Sequence, residues 1–198
     1  MQRRFDGVIF DMDGTVIEPL LDFAAIRREL GIPLGEDILQ AIEQMPPAQR
    51  QAAESSLLEK EMSAARQSRL MPSAPEVLER IRSAGLKTAL LTRNCKEAME
   101  TVLQRFPRLV FDVTLSRECG PIKPEPDGIA RACGQMGVQV QRTACVGDFR
   151  YDMVAARAAG ATGVLLVTGE RPDFADLADV VIDGLDKLPS VLGLQAGQ

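Results

Sequence analysis

Short apolar runs alternate along this chain with stretches of helical periodicity, and that alternation restricts the fold more than any other feature. Gly7-Val8-Ile9-Phe10 opens the series. Residues 86–91, 112–115, 143–146, 163–167 and 179–182 continue it as expected strands. Helical stretches fall between them at 74–84, closed by Gly85, at 95–106, at 126–136, stopped by Gly137, and at 151–159, stopped by Gly160. Strands that alternate with helices predict an α/β fold: a mostly parallel, Rossmann-like sheet with helices on both faces.

Residues 18–71 break the alternation, because they hold no convincing strand. Stretches 22–30, 36–45 and 47–70 read as helices, with Pro47 in the first turn of the last one. The expected organisation is a core domain of residues 1–17 and 72–198, interrupted by a helical insertion of residues 18–71.

Composition removes several classes of chemistry. The chain has no histidine, which excludes His-based triads and histidine general bases and leaves carboxylates, Lys, Thr, Cys or an oxygen-ligated metal. Cys95, Cys119, Cys133 and Cys145 lack CxxC spacing, so structural zinc and a disulfide framework are not expected. A net charge of −5 offers no basic face for nucleic acid. No apolar run nears the roughly 20 residues of a membrane span, and no signal peptide is read at the start. The expectation is a cytoplasmic protein, monomeric or homodimeric, with no membrane or nucleic-acid partner.

Ligands of a parallel sheet bind beyond the carboxyl ends of its strands. The first apolar run ends in Asp11-Met12-Asp13-Gly14-Thr15, the second in Thr92-Arg93-Asn94, and the fourth in Gly147-Asp148, with Asp152 four residues on. Lys123-Pro124 follows the third. Asp11, Asp13 and Asp148 offer hard oxygen ligands of the kind that suit Mg2+. Lys123 and such an ion neutralise the carboxylates and attract phosphate. Thr92, Arg93, Asn94 and Lys123 are the expected phosphate-binding groups. An aspartate can accept a phosphoryl group as an acyl phosphate.

In this order, Asp11-Met12-Asp13-Gly14-Thr15, Thr92, Lys123-Pro124 and Gly147-Asp148 with Asp152 resemble the four motifs of the haloacid dehalogenase superfamily, over roughly residues 6–168. The resemblance implies Asp11 as nucleophile and magnesium ligand. It implies Asp13 as general acid and base, with its main-chain carbonyl on the metal. Thr92 and Lys123 would hold the phosphoryl group, Asp148 would ligate magnesium, and Asp152 would orient Lys123 or a metal-bound water. The insertion resembles the small helical cap of the phosphoglycolate phosphatase-like branch. The implied activity is magnesium-dependent hydrolysis of a small phosphorylated metabolite through an aspartyl phosphate.

Other readings stay open at this level. A binding or regulatory protein on the same fold is one, although the site set is intact. A phosphonatase is another, which would need a lysine in the insertion, and Lys60 is the single lysine there. Cys95, at the start of a helix, and the insertion's Arg27, Arg28, Arg50, Arg66 and Arg69 have bland alternatives as packing or solvated groups.

Overall fold

The computed structural model describes residues 4–194. Strands β1 (Gly7–Phe10), β2 (Lys87–Leu91), β3 (Val113–Leu115), β4 (Thr143–Gly147), β5 (Thr162–Leu166) and β6 (Val180–Ile182) form one sheet. Their order is β3-β2-β1-β4-β5-β6, and each neighbouring pair is parallel. The expected α/β architecture is therefore present.

Side-chain alternation explains why these runs are strands buried on both faces. Val8 and Phe10 join Leu90 and Val146 in one apolar cluster, while Ile9 joins Ala89, Leu91 and Cys145 in another. Five helices supply the two covering layers: α4 (Ala74–Ser83), α5 (Lys96–Arg105), α6 (Asp127–Met136), α7 (Arg150–Ala159) and α8 (Leu188–Val191). The first cluster includes Ile81 of α4, Val102 of α5 and Leu188 of α8; the second includes Ile129 of α6 and Ala155 of α7.

Helices α1 (Phe23–Leu30), α2 (Ile38–Glu43) and α3 (Pro47–Gln67) lie between β1 and α4. Ile26, Ile32, Ile38, Ile42, Ala53 and Leu57 make an apolar cluster of their own. Met62 and Ala65, further along α3, join the first sheet-side cluster instead. One helix thus starts in this separate cluster and ends against the sheet-side one. The sequence pattern extends α3 to residue 70, but it stops at Gln67. Beyond it, Leu70 bridges Ile17 in antiparallel fashion, and the Met71 and Glu18 N–H groups donate to Val16 and Arg69 carbonyls at 3.0 and 2.9 Å. Pairing across the neck outcompetes one more helical turn. Similarly, α2 starts at Ile38 because Asp37 caps it, accepting from the N–H groups of Leu39 and Gln40.

Among the described residues, no helix is long and apolar enough to cross a membrane.

Candidate active site

Strand register brings the expected groups together. Phe10 is level with Leu90 of β2 and Val146 of β4, so the three strands deliver their next residues at one edge of the sheet. After Phe10 the chain turns tightly, with the N–H groups of Val16 and Ile17 donating to the Met12 carbonyl at 2.9 and 3.0 Å. Gly14, at φ 71°, serves this turn and something more. A Cβ there would lie 2.0 Å from Asp148 Oδ2, so only glycine lets Asp148 close on the β1 loop. Gly147 does the same for Asp152, whose Cγ would sit 2.2 Å from an added Cβ.

Lys123 is 4% exposed, and its ammonium lies between two carboxylates. It donates to Asp11 Oδ1 and, at 2.6 Å, to Asp152 Oδ1. Burial alone would lower its pKa, but Asp11 and Asp152 outweigh that and hold it above the ordinary lysine range. Asp152 is fixed in turn, because its Oδ2 accepts the Phe149 N–H at 3.1 Å. Asp11 is raised to about 6 by burial, against the pull of Lys123. Asp13 is hydrogen-bonded to a neutral amide instead: its Oδ2 accepts from Asn94 Nδ2 at 2.7 Å, and Lys123 acts on it only as a nearby charge. Burial first, then the charges of Asp11 and Glu61, push Asp13 up to about 7. Two aspartates two positions apart thus differ in partner and in proton affinity, the arrangement that separates a nucleophile from an acid.

Asp148 is pushed up to about 8, by burial and then by Asp11 and Asp152. Carboxylate oxygens of Asp11, Asp148 and Asp152 all lie within 4.8 Å of one another. This cluster of hard oxygen donors fits a divalent cation. The trio includes the Asp152 carboxylate and leaves the Asp13 side chain aside. Asp152 already accepts from Lys123 and from the Phe149 N–H, so its two oxygens are committed to protein donors.

Thr92 is 1% exposed at the end of β2, and its Oγ1 accepts the Asn94 N–H at 3.1 Å, which leaves its own proton for an anion. The amide of Asn94 is turned to Asp13 rather than outward. Arg93 is turned away from Asp11: its NH2 donates to Asp37 at 2.6 Å, its NH1 to the Lys123 carbonyl, and its guanidinium carbon sits 4.6 Å from the centre of the Tyr151 ring. Cys95 is spent on structure; its Sγ accepts the Ala98 N–H at the start of α5, and burial pushes the thiol up to about 11. Lys60 pairs with Glu29 at 2.7 Å and does not line the cleft, so a lysine-based phosphonatase finds no support in its position.

A cleft of about 1320 Å³ opens beside Lys123, between α2, α3 and the loops after β2 and β3. The sequence reading missed four residues around it: Asp37, Glu61, Arg117 and Tyr151. Glu61, 3% exposed on α3, accepts from Arg117 and from the Cys95 N–H. Its signal was available, because Ala53, Leu57, Glu61 and Ala65 form one buried four-residue stripe, and an acid in such a stripe needs a partner. Asp37 and Arg93 lie 56 positions apart, and no local pattern joins them.

The haloacid dehalogenase-like hydrolase family model matches residues 5–160. A haloacid dehalogenase-like hydrolase domain-containing protein of Arabidopsis thaliana is 33% identical, covering 96% of this chain and 85% of its own length. A phosphoglycolate phosphatase of Mannheimia succiniciproducens is 28% identical over 91% of this chain and 99% of its own. Among solved structures, a hydrolase from Pseudomonas syringae superposes with a TM-score of 0.80 at 22% identity, covering 98% of this chain and all of that one. With the family match spanning most of its length and the motif residues gathered at one sheet edge, this chain belongs to the haloacid dehalogenase-like hydrolases.

Proposed function

We propose that this hydrolase is a magnesium-dependent phosphatase that cleaves a small phosphomonoester through an aspartyl phosphate on Asp11. The observation that carries the reading is the split pair at the end of β1. Asp11 is tied to Lys123, while Asp13 is tied to a neutral amide and holds a proton up to about 7. The phosphatases among its relatives support the same class of chemistry.

In this scheme the Asp11 carboxylate attacks phosphorus, and the bond from phosphorus to the leaving oxygen breaks. Asp13 gives its proton to that oxygen. Water then attacks the acyl phosphate and yields a proton to Asp13, while the bond to Asp11 breaks and inorganic phosphate leaves. Lys123 and the Thr92 hydroxyl hold the phosphoryl oxygens, and Asp152 keeps Lys123 in place. Asp11, Asp148 and the Asp13 main-chain carbonyl would hold magnesium, which supplies charge neutralisation for phosphoryl transfer. Residues 18–71 act as a cap over a core of residues 1–17 and 72–198, narrowing access to water and choosing the leaving group. The partner is a small phosphorylated metabolite.

The test is phosphate release from an aryl phosphate and a panel of small phosphomonoesters, with magnesium or with chelator, beside Asp11→Asn. Turnover that needs both magnesium and Asp11 is expected. Hydrolysis that survives Asp11→Asn sinks the mechanism.

A further inference from the structure

The cleft is short of cations that a substrate could use. Arg50, Arg93, Arg117 and Lys123 line it, and each is already paired with a protein carboxylate: Glu54, Asp37, Glu61 and Asp11. Glu36, Glu43 and Glu125 also line it, and among the described residues none of these three has an ion pair. Beyond the phosphoryl site, the charge left unbalanced in the cleft is therefore negative.

Arg93, next to Thr92 in sequence, lines the cleft as a cation that a second anion would seek, and both of its terminal nitrogens already have protein partners. One terminal nitrogen donates to Asp37, the other to the Lys123 carbonyl, and Tyr151 covers a face. Asp37 is anchored as well, by the Leu39 and Gln40 N–H groups that it caps. The Arg93 and Asp37 side chains are 22% and 15% exposed, so separating them strands two poorly hydrated charges.

We propose, resting on the phosphatase reading, that Asp37 is a specificity-determining residue that occupies Arg93 and makes the cleft reject leaving groups bearing a second anion. The preferred substrates are then phosphomonoesters of uncharged polyols or of amino alcohols, not of hydroxy acids.

The test compares phosphoglycolate, whose leaving alcohol carries a carboxylate, with glycerol phosphate, whose leaving alcohol is uncharged. In the wild type, kcat/KM for phosphoglycolate should be at least about tenfold the lower. Asp37→Asn keeps a capping oxygen but releases Arg93, and should raise the phosphoglycolate-to-glycerol phosphate ratio about tenfold. The double variant Asp37→Asn/Arg93→Gln should lose that gain. A merely structural role for Asp37 would move both substrates together, and that result overturns the proposal, as does a wild-type preference for phosphoglycolate. Calorimetric binding of the same two esters to Asp11→Asn reads the discrimination without turnover. If no ester is hydrolysed but the binding ratio holds, the phosphatase reading fails and the charge selection stands. Equal affinity, or binding of neither ester, overturns the selection.

Discussion

The phosphoryl end of the site and the cleft beside it are built by opposite means. At the phosphoryl end, Thr92, Lys123 and Asp152 are each 5% exposed or less, and Lys123, from the loop before α6, is held between Asp11 after β1 and Asp152 of α7. In the cleft, Glu36, Glu43 and Glu125 are exposed, and the organised features are two arginines, Arg93 tied to Asp37 before α2 and Arg117 tied to Glu61 of α3. Strand register fixes the first region, so its geometry follows from the sheet. Long-range ion pairs fix the second, so its geometry follows from how the insertion lies on the core. Asp37 reaches Lys123 only through Arg93, which donates to the Lys123 carbonyl, whereas the Lys123 ammonium has its own partners in Asp11 and Asp152.

Several experiments break or sharpen that contrast. The largest effect belongs to Asp11→Asn, which should cut turnover by about four to six orders of magnitude with little change in melting temperature. Asp13→Asn should cost about 10²–10⁴ for alkyl phosphates and much less for aryl phosphates, whose leaving groups need no proton. Equal losses in a leaving-group series would remove Asp13 as the acid. Lys123→Met strands Asp11 and Asp152 in a buried site and should lower stability by about 3 kcal/mol. Denaturant titration reads this; an unchanged midpoint would mean that the phosphoryl end is not held by charge.

The smallest effect is a coupling of pH and metal. Folded-state values of about 6, 7 and 8 for Asp11, Asp13 and Asp148 all lie above their ordinary 3.8. Raised acids contribute stability that is full below the unfolded value and is lost as pH rises through the folded ones. The metal-free protein should therefore lose stability from these groups between about pH 4 and pH 8. Magnesium binds the ionised form, so its stabilisation should grow over the same window. At about 100 times the dissociation constant it should add about 2.7 kcal/mol, or roughly 5–10 °C. A magnesium shift that is flat with pH would disconnect these carboxylates from the metal. Asp37→Asn stands apart from all of these, because it should change which ester is cleaved rather than whether one is.

Much of the fold is legible along the chain. Apolar runs of four to six residues, glycine stops and the strandless stretch 18–71 follow from local preference, and they match the observed elements within a few residues. The errors fall where distant segments meet, as at the end of α3, where pairing with residues 16–18 replaces the final turn. The site divides in the same way. Asp11, Asp13, Thr92, Lys123 and Asp148 could be picked out because parallel strands place their carboxyl ends at one edge. What local sequence does not show is the protein partners of Arg93 and Asn94, whose side chains face Asp37 and Asp13.

By itself the sequence determined which residues follow the strands, and hence the inventory of carboxylates, threonine and lysine at the candidate site, because side-chain type and strand periodicity are local properties. Only the tertiary structure decided which cations are free. Whether Arg93 meets a substrate or Asp37 depends on the position of α2 over the β2 loop, and that position comes from packing between residues far apart in the chain.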